Sequence, residues 1–508
     1  MMGKTGKGEG WMNSKNEERK KQVAHIIEIP DEYHLVVDDQ KTVDDPFHVL
    51  FWEHQDDTEK NIQISVNRHT GELIELDIED EGYFQIQHGG ISEEKAKEIA
   101  HLFVRKHIPN EYADYTYVYV RDWCGMPAVH YLQEVNGYPL PNTECVVRVH
   151  PSGNVVAFQH YHGLKEKPIW PESIVDEKIV LEELKGRQNM RLVFAHLLPE
   201  ICQYENGKEV NGYRLVYEPE PSVAFIDAST GKDLHGPEHY QSPSTVAVSV
   251  PENKDKQETN VFRLLALDEK QFVKIFEDES DNKIRMKFVQ KRELESEQEE
   301  NQTYLMKDFY KKHSPMMKYE NPMLIEIDKE SGTLLDYFNL ASGGERKVIL
   351  SREECLEKAL QFLTQVIPNM EEHLRLWDNY DEEESPGRFF FGVYVNEIPV
   401  EVSLGIINID TETGEVLMYS GISPRVIEEL STYETSARVR KEQALAIYRN
   451  ALRVELQWHE NNDIDTPKYD LIYKQTTTES SETYHIDFFM RREIRYIDAH
   501  TGEAIWSK

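Results

Sequence analysis

The chain has 508 residues and sets 57 Lys and Arg against 93 Asp and Glu, for a formal net charge of -36. That charge argues against nucleic acid and anionic membrane surfaces as partners, since both need Lys/Arg neutralisation. With 39% apolar residues and no apolar run near the roughly 18 residues of a membrane span, a globular protein of about two to four domains is expected.

Residues 1–20 are rich in Gly and Lys and hold no apolar h-region. They read as a flexible, mildly basic tail, with no secretory signal and a cytoplasmic location expected. The tail does not make a phosphate loop, because Glu9 follows Gly8 where Lys-Ser/Thr is required. Cys124, Cys145, Cys202 and Cys355 are scattered without a CxxC pair. Buried, reduced thiols are therefore predicted rather than a disulfide framework or a zinc ribbon.

The turn Arg68-His-Thr-Gly-Glu-Leu73 recurs along the chain, with its glycine at Gly71, Gly153, Gly231, Gly332, Gly414 and Gly502. The last three follow the first three at offsets of 261, 261 and 271, which marks a tandem duplication. Strand-like runs flank each turn, so six β-hairpins are predicted, the glycine supplying the φ > 0 position. Between the first and second hairpins lies a helix with Ser92 as N-cap, an apolar stripe through Ala96, Ile99, Ala100, Phe103 and Val104, and Pro109 as its stop. Ser351 and Pro368 repeat cap and stop at an offset of 259.

A tight corner follows in both halves, Asn136 to Pro139 and Asn396 to Pro399, at an offset of 260. Weaker helical patterns over 174–198 and 439–456 open a third unit in each half. The predicted organisation is a tail at 1–20, a first half at 21–240, a linker at 241–258 and a second half at 259–508. Each half is a hairpin unit followed by two helix-plus-sheet units. The polar run 293–301 reads as an enlarged solvated loop. The fold class is α+β, with antiparallel sheets each packed by a helix.

Helix 92–109, the corner at Asn136 and Pro139, and the hairpins at Gly153 and Gly414 together resemble the YcdB/YcdC repeated-domain family. That family is similar to the PepSY-type domains of secreted metallopeptidase propeptides. The resemblance covers about residues 20–508, counting both copies. It implies an α+β repeat without established enzymatic activity, and its PepSY relatives suggest binding or inhibition of a peptidase. Two departures stand out: no export signal is visible, and Glu397 replaces glycine in the second corner.

Candidate chemistry centres on His130, His150, His160 and His162. His160 and His162 alternate onto one strand face, about 6–7 Å apart, and His150 could join them across the Gly153 hairpin. Three ligands are what a catalytic zinc requires, so this group carries the alternative reading of a metal-dependent hydrolase. The second half has Tyr419-Ser-Gly421 in the corresponding place, which favours ordinary strand histidines. Glu98 and His101 have the spacing of a di-iron helix, but the duplicate has Glu357 and Leu360. HExxH, GxSxG and a strand-borne GxGxxG are all missing.

Scaffold residues repeat while reactive ones do not. The expectation is a non-enzymatic binding or regulatory protein with no catalytic residue, metal or cofactor. Its sheets would recognise a protein or peptide by edge-strand addition, a peptidase being the partner the resemblance implies. A structural envelope or spore-layer protein is the remaining alternative.

Overall fold

The structure, a computed structural model, describes residues 6–39, 47–79, 91–161, 163–236, 239, 242–250, 260–265, 267–268, 270–280, 282–291, 322–339, 347–377, 386–461, 468–478 and 492–508. His162, the acidic run 293–301 and linker residues 251–257 lie outside them. No helix among the described residues is long and apolar enough to cross a membrane.

The N-terminal segment is not the flexible tail expected. Residues Gly6–Val23 form helix α1, and its basic residues are anchored. Lys15 and Arg19 both reach the buried carboxylate of Asp38, at 3.0 and 2.9 Å, and the Trp52 indole donates to Asn16 at 3.1 Å. A buried carboxylate demands such partners: against the opposing effect of burial, hydrogen bonds to His48, Arg19 and Lys15 hold the Asp38 pKa well below its usual value.

The first unit is a four-stranded meander rather than a single hairpin: β1 (Tyr33–Asp39), β2 (Phe47–His54), β3 (Asp57–Asn67) and β4 (Leu73–Glu79). Helix α2 (Glu93–His107) follows, then β5 (Tyr115–Trp123), β6 (Met126–Val135), β7 (Tyr138–Pro139), β8 (Cys145–Val149) and β9 (Val155–His160). Pairing of β4 with β9 joins meander and second unit into one sheet, in the order β1-β2-β3-β4-β9-β8-β6-β5. Helix α2 forms as its sequence demands. The Ser92 side chain accepts from the Lys95 N–H, and Ala96, Ala100 and Val104 are buried. Two alanines on that stripe let the helix lie close on β6 and β8.

The third unit departs from the expected helix over 174–198. Helix α3 ends at Arg187 (Glu177–Arg187), and residues Asn189–Leu197 form β10. The apolar cluster Leu192-Val-Phe194 favours an extended chain that buries side chains on both faces, and β10 pairs along its whole length with β12. Strands β11 (Cys202–Tyr204), β12 (Gly212–Glu220) and β13 (Phe225–Asp227) complete the unit.

The linker contributes a strand of its own, β14 (Thr245–Ala247), and a short helix α4 (Val261–Leu264) precedes the second meander. That meander is β15 (Phe272–Glu279), β16 (Lys283–Gln290), β17 (Met323–Asp328) and β18 (Leu334–Asn339). Helices α5 (Arg352–Val366) and α6 (Met370–His373) lead to β19 (Leu374–Trp377), β20 (Arg388–Val395), β21 (Ile398–Ile409) and β22 (Val416–Ser420). Pairings within these eight strands repeat the order of the first sheet, β15-β16-β17-β18-β22-β21-β20-β19. Even the β-bulge between Leu35 and Val37 recurs, between Lys274 and Phe276. Helix α7 (Pro424–Ser431) connects to the last unit: α8 (Lys441–Ala451), β23 (Arg453–Asn461), β24 (Lys468–Thr476), β25 (Ile494–Asp498) and β26 (Ala504–Ser507). Here too the expected helix over 439–456 stops early, at Ala451, and the chain continues as β23.

The two third units exchange strands. Strand β12 of the first half pairs with β25 of the second, and β24 of the second pairs with β13 of the first. The contacts are reciprocal. Ala228 N–H donates to Leu471 C=O at 2.8 Å, and Ala499 N–H to Leu215 C=O at 3.1 Å. The Tyr217 hydroxyl donates to Val439 C=O at 2.9 Å, and that of Tyr473 to Val175 C=O at 2.8 Å. The motifs Tyr213-Arg-Leu-Val-Tyr217 and Tyr469-Asp-Leu-Ile-Tyr473 are the sequence form of this symmetry. One apolar core lies under the first sheet against α2. A larger one runs from Leu184 and Phe194 to Tyr448 and Ile497, through both halves.

All six repeated glycines have positive φ, between +69° and +87°. In five of the turns Asn67, Asp227, Asp328, Asp410 or Asp498 accepts two backbone N–H groups on its side chain. Five close hairpins between named strands. The Gly231 turn does not: β13 is followed by a single bridge, Ile226 to Asp233. The corners at Asn136-Gly137 and Asn396-Glu397 have two successive positive φ values, 54° and 83°, then 49° and 64°. Both are type I′ turns, whose twist matches the flanking strands.

Candidate functional site

The histidines of the alternative reading do not gather into one group among the described residues. Strand β8 pairs Cys145 with His160, whereas His150 sits in the turn at the other end of that hairpin. Strand rise separates the two imidazoles by roughly 15 Å, too far to share an ion. Each has local work instead. Nδ1 of His150 lies 3.1 Å from the Ser152 N–H and 2.7 Å from its hydroxyl, taking the place of the Asp in the other turns. His160 is buried, with Nε2 3.0 Å from the Glu111 carboxylate and 3.0 Å from the Tyr115 hydroxyl. His130 stacks on Tyr119 with ring centroids 4.6 Å apart and meets Glu144.

Glu98 and His101 also part company. Glu98 pairs with Lys95, while His101 contacts the hydroxyls of Tyr112 and Tyr131. Of the four thiols, Cys145, Cys202 and Cys355 are buried but Cys124 is exposed. It occupies the β5–β6 turn with φ +53°, a surface position that sequence spacing could not distinguish.

Two places stand out in the folded chain. The first is a pocket of about 100 Å³ at the seam of the exchanged strands, lined by residues of both halves that include Glu218, Glu401, Lys474, Glu493 and Tyr496. Strand β10 touches β21 in parallel there, Phe194 opposite Val400, which brings Glu401 under the third unit. The Tyr496 hydroxyl donates to Glu401. Burial raises the Glu401 pKa, outweighing that hydrogen bond, and burial beside Glu401 pushes the Tyr496 hydroxyl up as well. Glu493 accepts from Thr476 and Thr477. The arrangement offers hydrogen bonds and buried carboxyls.

The second is a pair of sheet edges that correspond by duplication. The β19 edge is covered: Thr245–Ala247 of the linker adds to it as antiparallel β14. Its counterpart β5 pairs, among the described residues, with β6 alone. Strand β5 is nine residues long and carries Tyr117, Tyr119, Arg121 and Trp123; Trp123 is half exposed, with Arg148 over its ring at 5.9 Å. Tyr, Trp and Arg are the types enriched where proteins bind proteins. Nothing in the local sequence distinguishes an edge strand from an inner one, so the contrast could not be read beforehand.

The repeat in the fold has a counterpart among known proteins. A family profile described as the YcdB, YcdC repeated domain matches residues 16–162 and again 285–423. The chain belongs to the YcdB, YcdC repeated-domain family. The first matched stretch holds the first meander and its helix–sheet unit; the second begins within β16 and holds the rest of the second meander with its helix–sheet unit. Relatives of this YcdB/YcdC-type chain include YcdB of Bacillus subtilis (strain 168), 26% identical over 97% of this chain and 98% of that protein. YcdC of the same organism is 22% identical, over 90% of this chain and 96% of its own length. Among solved structures, the C-terminal domain of YpeB from Bacillus megaterium aligns with 43% of this chain and 94% of its own, at 16% identity and a TM-score of 0.26.

Proposed function

We propose that this chain is a non-enzymatic binding protein that takes an extended polypeptide segment onto the β5 edge. The observation that carries the reading is β14 on β19: the fold already accepts an extended segment on the equivalent edge of its second copy. Main-chain hydrogen bonds give affinity in that mode, and alternating side chains give selectivity. The separation of His150 from His160 gives the hydrolase reading no support from that pair. A peptidase is the first partner to test, since the PepSY resemblance points there.

Thr116 provides the test. It is the bulge residue between Tyr115 and Tyr117, outside the register with β6, so proline there leaves the registered β5–β6 pairs in place while distorting the strand that an added segment would have to follow. Native extract would be passed over the tagged full chain and over its Thr116→Pro variant, after circular dichroism confirms that both are folded. A partner held by the first and reduced about tenfold or more on the second supports the proposal. Failure to hold any specific partner, or equal capture by both, contradicts it.

A further inference from the structure

The two meanders share one pattern, so their helix-facing surfaces can be compared position by position. In β1–β2 the register sets Leu35 opposite Trp52 and Asp38 opposite Leu50. In β15–β16 the same bulge sets Lys274 opposite Phe288 and Glu277 opposite Met286. The first surface is closed: Tyr33, Leu50 and Trp52 are fully buried, and α1 is tied across it by the contacts of Arg19 and Asn16. In the second copy the helix is a single turn, capped by Asn260 accepting from the N–H groups of Phe262 and Arg263. Phe272 and Phe288 are only partly buried, and Phe262 is 37% exposed. These rings floor a groove of about 790 Å³.

Charge at the groove runs against the rest of the molecule. Arg263, Lys270 and Lys291 line it, and among the described residues none of the three forms an ion pair. Lys274 is engaged by Glu277, and Asp268 is the one lining acid. Three cations without an ion-pair partner among the described residues, around an aromatic floor in a chain of net charge -36, indicate what the groove prefers. We propose that it docks an acidic amphipathic helix of a partner protein. The helical form follows from the duplicate surface, which α1 covers. The acidic character follows from the lining charge: α1 brings Lys15 and Arg19 to Asp38, whereas the equivalent Glu277 is already engaged by Lys274, so an incoming helix meets cations and must bring carboxylates. This surface is separate from the β5 edge and does not depend on it.

The test uses the full chain and two fluorescein-labelled synthetic helices of roughly 18 residues, about 27 Å long. One has a Leu stripe with Glu on the remaining faces; the other replaces each Glu by Lys. Overall charge would favour the Lys peptide, so saturable binding of the Glu peptide in fluorescence anisotropy reports the groove. The triple variant Arg263→Glu, Lys270→Glu, Lys291→Glu should weaken that binding about tenfold or more. Phe262→Ala should weaken it too, and Thr116→Pro should leave it unchanged. No binding of the Glu peptide at millimolar concentration, or equal binding by the triple variant, overturns the proposal. So does a dimer in analytical ultracentrifugation that the triple variant abolishes, since that would assign the groove to a second copy.

Discussion

Glu397 occupies the second position of a type I′ turn at φ +64°, where Gly137 stands in the first copy. A left-handed backbone costs a residue with a Cβ roughly 1–2 kcal/mol. Its carboxylate takes Arg375 at 2.9 and 3.2 Å, but the Glu397 side chain is 80% exposed and such a pair contributes roughly 0.2–1 kcal/mol. Glu397→Gly is therefore expected to raise stability by about 0.5 kcal/mol, read as a higher urea midpoint. His107 is a second residue with a defined expectation. Burial, with Lys106 and His25 nearby, lowers its pKa from 6.5 to about 4. The folded state thus favours the neutral ring, so the contribution is present above pH 6.5 and is lost as pH falls towards 4. Between pH 7 and 4.5 the wild-type urea midpoint should fall further than that of His107→Leu; parallel losses would refute the assignment.

At the scale of elements, what could be read from sequence was what is local. Ser92, the alanine stripe and Pro109 lie within one helix and define it with no knowledge of the rest. The six glycine turns and both corners were likewise legible, since positive φ and the side-chain caps act over four or five residues. Boundaries went astray where tertiary pairing decides. Residues 189–197 have enough apolar character for either structure, and β12 makes them a strand. The charged sequence of α1 carries no apolar face, so its helix depends on Asp38 and Trp52, distant in the chain. The apparent histidine cluster failed because proximity in sequence across a hairpin placed His150 and His160 at opposite ends of it. The exchanged elements carry their own prediction. Tyr217→Phe and Tyr473→Phe should each cost about 1 kcal/mol in chemical denaturation, and by similar amounts, because the two hydroxyls make the same bond in the two halves. A cost at one position and none at the other would contradict the reciprocity.

For the whole molecule, duplication has produced an interlocked pair rather than two beads. Each third unit completes its sheet with a strand from the other half, and the larger core passes between them. Fragments 1–240 and 241–508 expressed separately should each lack cooperative unfolding of the third unit, and co-expression should restore a stable one-to-one complex. Two independently folded, non-associating fragments would show that the exchange is dispensable. The functional reading rests on a narrower contrast: one of two equivalent sheet edges is filled, and the other, among the described residues, pairs with β6 alone. Amide hydrogen exchange of β5 and β19 in the free full-length chain tests it most directly. Protection along both edges of Leu374–Trp377 is predicted, with alternate amides of Tyr115–Trp123 exchanging as an open edge does. Uniform protection of β5 would mean that its edge is already occupied, and would contradict the account.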